Sequence, residues 1–234
     1  MKQPILECFA FSDIGPVRPN NEDVWASFPQ KRFFTIADGM GGHKAGEIAA
    51  KEATNFLCKS ALDLLKSPSS KYMKKKQIIS HLSSSIEKTN HHVYSLGINN
   101  ENYRGMGTTI CCLYLNGKQA IYAHVGDSRI YHISKNDFTL LTKDHSLINK
   151  QNPTSCYTMP SSILHKHIIT RAIGTTSCVQ PDIATITYKK GDVFILCTDG
   201  LSDYISHEEI KIILETNNSL KKGTMELINT AKIN

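Results

Sequence analysis

Two segments of this chain carry an aspartate followed by glycine out of the end of an apolar run: Phe33-Phe34-Thr35-Ile36-Ala37-Asp38-Gly39 and Val193-Phe194-Ile195-Leu196-Cys197-Thr198-Asp199-Gly200. Alone, Asp-Gly simply opens a turn. Two copies on strands that read as core, with a third acidic strand end at Gly126-Asp127, point further. Carboxylates gathered by a rigid sheet repel one another and lose solvation unless a cation lies among them. Oxygen donors, with a glycine whose missing side chain lets its carbonyl approach, suit Mg²⁺ or Mn²⁺ better than Zn²⁺. None of the ten histidines has H-E-x-x-H spacing, and the seven cysteines form no C-x-x-C pair.

A second polar constellation, Arg18-Pro19-Asn20-Asn21-Glu22-Asp23, lies a short way upstream of Asp38. Its guanidinium fork suits phosphate oxygens, and Glu22 and Asp23 could hold waters around metal ions. Downstream, Asp38-Gly39-Met40-Gly41-Gly42-His43 runs into a helical pattern, which keeps backbone and His43 close to whatever the aspartate holds. No full G-x-x-x-x-G-K-[ST] phosphate loop is present. Carboxylates, an arginine and a histidine in this arrangement fit hydrolysis of a phosphate ester.

These residues need elements to hold them. Ile5 to Phe11, Val24 to Phe28 and Phe33 to Ala37 read as three strands, the last two separated by the turn Pro29 to Arg32. Apolar residues at Ala45, Ile48, Ala49, Ala53, Phe56, Leu57, Ala61, Leu64 and Leu65 predict a helix, broken at Ser67-Pro68-Ser69-Ser70. A second stripe from Ile78 to Leu96 stops at Gly97, so the two helices form an antiparallel pair. Thr108 to Leu115 and Lys118 to Val125 flank Asn116-Gly117, a strong hairpin signal. Strands follow at Arg129 to Ser134, Phe138 to Leu141, Ile183 to Tyr188 and Val193 to Cys197, then helices at His207 to Leu214 and Met225 to Ala231. Residues 144 to 166 lose periodicity and read as a long surface loop. Hairpin-joined strands with helices grouped apart from them give an α+β layered fold, read as a single domain over 1–234.

Composition excludes several classes. With 40% apolar and 21% charged residues the chain is an ordinary globular protein rather than a disordered or membrane one. The N-terminus lacks a signal-peptide pattern and no window approaches a membrane span, so the reading is cytoplasmic with no membrane partner. An odd cysteine count predicts reduced thiols. The net charge of +6 is scattered apart from Lys71 to Lys76, which predicts no nucleic-acid binding.

The ordered set Arg18-x-x-Asn21-Glu22-Asp23, Ala37-Asp38-Gly39-Met40-Gly41-Gly42-His43, Gly107-Thr108-Thr109, Val125-Gly126-Asp127-Ser128-Arg129, Asp144-His145-Ser146, Ile169-Thr170-Arg171-Ala172-Ile173-Gly174 and Thr198-Asp199-Gly200 resembles the metal-dependent type 2C serine/threonine protein phosphatases, in particular their bacterial branch. The resemblance spans residues 12 to about 206 and implies a four-layer α-β-β-α sandwich, with two central antiparallel sheets flanked by helix pairs. It implies two Mn²⁺ or Mg²⁺ ions per site and room for a third. Asp38 would bridge the pair, the Gly39 carbonyl and Asp199 would each serve one ion, and Asp127 would help form the third site. Arg18 would bind the substrate phosphate, His43 is a candidate proton donor to the leaving oxygen, and residues 147 to 166 would be a mobile flap. The implied substrates are phosphorylated proteins made by serine/threonine kinases, and the implied state is a monomer.

The chain departs from the family at its C-terminal end, where the glycine-rich Asp-Asn segment and last core strand have no counterpart; no aspartate follows Asp203. A fragment, compensation by Asp203 or Asp127, and weakened catalysis each account for this. The rival reading is therefore a pseudophosphatase that binds phosphoproteins without turnover. The serine- and proline-rich flap also departs from relatives, and chemistry on a small phosphate ester stays open beside protein substrates.

Overall fold

The computed structural model of the chain describes residues 6–41, 45–66, 73–135, 137–147 and 168–234, the side chains of 64–66 excepted. The helix break at 67–70, His43 and nearly all of the expected flap lie outside the described residues.

The alternating runs become two antiparallel sheets. In the larger, β1 (Asp23–Phe28), β2 (Phe33–Met40), β4 (Ile110–Asn116), β5 (Gln119–Val125) and β8 (Asp182–Thr187) lie side by side, and β3 (Gly107–Thr108) adds to the end of β2. The smaller sheet orders β7 (Phe138–Leu140), β6 (Arg129–Ile133) and β9 (Val193–Cys197). The hairpin at Asn116-Gly117 forms as its residues require: Asn116 faces Gln119 across the turn and Gly117 takes φ +61°.

The period-two pattern assigns each face. On β4, Ile110 and Cys112 join the core under the helices α1 (Ala45–Lys66) and α2 (Lys75–Asn99), whereas Leu113 and Leu115 turn to the space between the sheets. On β9, Phe194 and Leu196 fill that same space, while Ile195 and Cys197 pack toward α4 (His207–Thr216) and α5 (Leu220–Ile233). The layers are thus α1 and α2, larger sheet, smaller sheet, α4 and α5, which is the expected α-β-β-α sandwich. Phe33, Leu57, Ile86 and Tyr131 are fully buried in it, each contributing about 1.5–3 kcal/mol. Ser206 and Glu209 cap the start of α4 reciprocally, the serine oxygen accepting from Glu209 N and the carboxylate from Ser206 N.

Two sequence expectations change. Residues 6–11 form no strand, because alternation alone makes none without a neighbour to take up the ladder, and among the described residues none pairs with them. The second helix does not stop at Gly97 but runs to Asn99. Gly97 is there for packing, since a Cβ would sit 3.3 Å from Tyr103 O. A one-turn helix, α3 (Asp199–Ser202), also follows β9 directly. All six described cysteines are free thiols, and no described helix is long and apolar enough to cross a membrane.

Candidate active site

The larger sheet extends β2 beyond Ala37 so that Asp38, Gly39 and Met40 remain strand residues, with Asp23 of β1 directly opposite Asp38. The Asp38 peptide is pinned on both sides. Its N–H donates to Thr109 Oγ1 at 2.9 Å, and its carbonyl accepts from Thr109 N and Thr108 Oγ1, each at 2.8 Å. Thr109 Oγ1 also shares a 2.7 Å hydrogen bond with Ser128 Oγ, next to Asp127. Asp38 therefore cannot change direction without breaking β-ladder and hydroxyl contacts together.

Glycine at 39 is obligatory. A Cβ there would lie 2.1 Å from Gly46 O and 2.9 Å from Glu22 O, because the first turn of α1 crosses against the strand. Gly39 N donates to Glu22 O at 3.1 Å, and a Cβ on Gly46 would meet the Glu22 carboxylate at 2.8–2.9 Å. The loop before β1 is thus clamped between β2 and α1. Asn21 turns it by accepting from Asp23 N at 3.0 Å, and Asn21 Nδ2 donates to Ser12 Oγ. Arg18, on the exposed part of this loop, acts on Glu22.

The other two aspartates come from the connection between the sheets and from the end of the smaller sheet. Asp127 sits in the β5–β6 turn after Gly126, whose φ is +106°. Asp199 opens α3 at the end of β9, and Thr198 just before it donates to Asp23 Oδ2 at 2.9 Å, tying the two sheets together. Asp38, Asp23, Asp127 and Asp199 converge: burial first, then the charges of Asp23, Asp199 and Asp127, push the Asp38 carboxyl up to about 9. Burial likewise raises Asp23 and Asp127 to about 6, with Asp199 adding to both. Asp203 also acts on Asp127. Glu22 is raised by burial, offset by Arg18.

Such a cluster is unfavourable as four free carboxylates. Among the described residues, the influences on Asp38 are burial and further carboxylates, with no arginine or lysine. Oxygen-rich, desolvated and strongly anionic, the cluster fits hard divalent cations such as Mg²⁺ or Mn²⁺. A different grouping, His124, His145 and Asp182, brings potential ligand atoms within 4.8 Å of one another. Its geometry does not suit a shared ion. The two imidazoles stack with centroids 4.6 Å apart and planes only 20° apart, so their in-plane lone pairs do not converge. Arg171 Nη1 already supplies the cation, 2.7 Å from Asp182 Oδ1.

The structure therefore brings together Asp38, Gly39, Asp127, Asp199, Glu22 and Asp23, with Arg18 at the rim, whereas His43 lies outside the described residues. The motif residues Thr109, Ser128 and Thr198 act through their hydroxyls: Thr109 holds the Asp38 peptide, Ser128 braces Thr109, and Thr198 holds the Asp23 carboxylate. Asp144, from a further motif, accepts from Arg129 Nη2 at 2.7 Å and from its Nε at 3.1 Å, bracing the start of β6.

Comparisons with known proteins agree with this geometry. A family model described as protein phosphatase 2C matches residues 19–229. The chain is 35% identical over 231 residues to protein phosphatase PhpP of Streptococcus pneumoniae, covering 97% of this chain and 91% of that one. Its fold is similar to the S. agalactiae serine/threonine phosphatase, with TM-score 0.82 and 33% identity over 95% of this chain and 91% of the other. It is also similar, with TM-score 0.78 and 28% identity over 95% and 90% of the two chains, to the catalytic domain of the serine/threonine protein phosphatase PstP in complex with two manganese ions.

Proposed function

The chain belongs to the protein phosphatase 2C family, and from that premise we propose how its own residues carry out metal-dependent hydrolysis of phosphoserine and phosphothreonine in proteins. The observation that carries the reading is the convergence of Asp38, Asp23, Asp127 and Asp199 in one desolvated cluster.

Asp38, the Gly39 carbonyl and Asp199 are the groups that would hold a pair of divalent ions. Asp127, with Asp203 beside it, is the proposed ligand of a third. Thr198 occupies Asp23 Oδ2, which leaves the other oxygen of Asp23 for waters around the ions, a task shared with Glu22. Such ions, when bound, would supply a water acidified toward neutral pH and would offset charge on the phosphoryl oxygens. Arg18 binds the phosphate through its planar fork and takes up charge as the ester bond breaks. His43 is the proposed donor of the proton that the leaving serine or threonine oxygen requires. Mn²⁺ is the preferred ion of the proposal, supported by the manganese-loaded PstP relative, with Mg²⁺ as the alternative. The proposed setting is a cytoplasmic monomer acting on substrates of serine/threonine kinases.

The test is release of phosphate from a phosphothreonine peptide with Mn²⁺, with Mg²⁺ and with chelator, beside Asp38→Asn. Turnover that needs metal and falls at least about 100-fold in the variant is expected, since an interaction made mainly in the transition state is lost. A folded protein that binds the peptide without turnover in any metal would instead favour the phosphoprotein-binding reading.

A further inference from the structure

His145 is buried, and neither the chemistry nor the core explains why an imidazole stands there. Its contacts do. It holds both peptide groups of Gly126, the residue immediately before Asp127: Gly126 N donates to His145 Nδ1 at 3.1 Å, and His145 N donates to Gly126 O at 3.0 Å. Gly126 has little freedom of its own, because its φ of +106° suits glycine and a Cβ there would lie 2.6 Å from Thr109 Cγ2. The direction of the next peptide, and with it the Asp127 side chain, is set by these contacts.

The ring's tautomer follows from the same geometry. The backbone N–H of Gly126 cannot turn away, so Nδ1 must accept and the proton resides on Nε2. Nε2 faces Asp182 Oδ2 at 3.3 Å, and the carboxylate accepts a hydrogen bond from it. Arg171 Nη1, 3.0 Å from Nε2, has acceptors of its own in Asp182 Oδ1 at 2.7 Å and Gln180 O at 3.0 Å. The stacked His124 ring fixes the plane, and His124 Nε2 is itself held by Lys143 O at 2.9 Å.

We propose that His145 is a positioning residue whose Nδ1, locked as an acceptor, fixes the Gly126 peptide and so aims Asp127 into the acidic cluster. The inference rests on Asp127 being a cation ligand. Outer contacts of this kind typically change metal affinity by about 10–100-fold when removed. The discriminating substitutions follow from the acceptor's place in the side chain. His145→Asn puts an amide oxygen where Nδ1 was, whereas His145→Leu keeps the bulk and loses the acceptor.

Binding of Mn²⁺ alone is titrated calorimetrically for the wild type, Asp127→Asn, His145→Leu and His145→Asn, with thermal melts to check folding. The expected result is that Asp127→Asn removes one class of Mn²⁺ site, His145→Leu weakens that same class at least tenfold, and His145→Asn restores it. Loss in Asp127→Asn with wild-type binding in folded His145→Leu overturns the positioning role alone, as does failure of folded His145→Asn to restore it. Unchanged binding in Asp127→Asn overturns the assignment of Asp127 and the inference with it. Nitrogen-15 NMR of the wild-type imidazole in chelator needs no variant: an unprotonated Nδ1 is expected, and a protonated Nδ1 overturns the proposal.

Discussion

Asp38 retains its proton up to about 9, whereas an aspartate in an unfolded chain has released its proton by about pH 5. In chelator, Asp38 alone therefore gives the native protein roughly one more bound proton than the unfolded chain between about pH 6.5 and 8.5. An acid whose folded pKa is raised contributes stability at low pH and loses it as pH climbs toward that folded value. One excess proton corresponds to about 1.4 kcal/mol per pH unit, hence about 2.7 kcal/mol across this window. For a chain of this size, that lowers Tm by about 5–11 °C. Below the window the profile is mixed: Asp23 and Asp127, at about 6, push in the same direction, while His145, brought down to about 4 by burial and by His124, pushes the other way. The readable range is therefore the alkaline one. Circular-dichroism melts in EDTA and in Mn²⁺ for the wild type and Asp38→Asn test the argument. In EDTA the wild type should lose stability with rising pH more steeply than Asp38→Asn, whose remaining slope comes from the buried thiols of Cys58, Cys111, Cys112 and Cys197, all raised by burial, and the variant should melt higher than the wild type at the alkaline end. Mn²⁺ should stabilise the wild type most at that same end. A wild-type profile in EDTA that is flat, or an equally steep one in Asp38→Asn, would refute the reasoning.

Three further outcomes follow from the geometry. Gly39→Ala drives a methyl into Gly46 O at the 2.1 Å position and should yield a protein that melts at least about 10 °C lower or fails to stay soluble, read from melts and soluble yield. Thr109→Val leaves the Asp38 N–H without its acceptor and should cost about 1–3 kcal/mol in urea denaturation while raising the Mn²⁺ needed for half-activation; Thr109→Ser should keep both near wild type. Arg18→Ala should raise KM for a phosphothreonine peptide about tenfold, equivalent to one charge-assisted hydrogen bond, with Arg18→Lys recovering only part of it because an ammonium lacks the fork; steady-state kinetics decide.

Most of the strand ladder was legible because its signals are local. The β-branched runs, the Asn116-Gly117 turn and the stripes of α1 and α2 each depend on neighbours a few residues away. Asp38 and Asp199 were legible for a related reason, as each ends an apolar run. The N-terminal alternation misled because a strand's hydrogen bonds belong to its partner, which sequence does not name. Gly97 misled because a helix-stopping glycine and a close-packing one look alike in sequence. Thr109 was silent about its task because its partner, Asp38, is 71 residues away. Gly126, held by His145, is 19 residues away from it. Asp23 read as a peripheral loop residue, and its depth emerges only from facing Asp38 across the β1–β2 ladder.

The crossing of Gly39 against Gly46, with Glu22 pressed between strand and helix, has a consequence for how the molecule can diversify. A bolt through three plates permits no sliding: α1 cannot migrate along β2, and the loop before β1 cannot lift, without freeing all three at once. Inherited variation that retunes which phosphoproteins are accepted must accumulate elsewhere, on surfaces that move independently of this fastening. The fastening itself can change only through coordinated replacements.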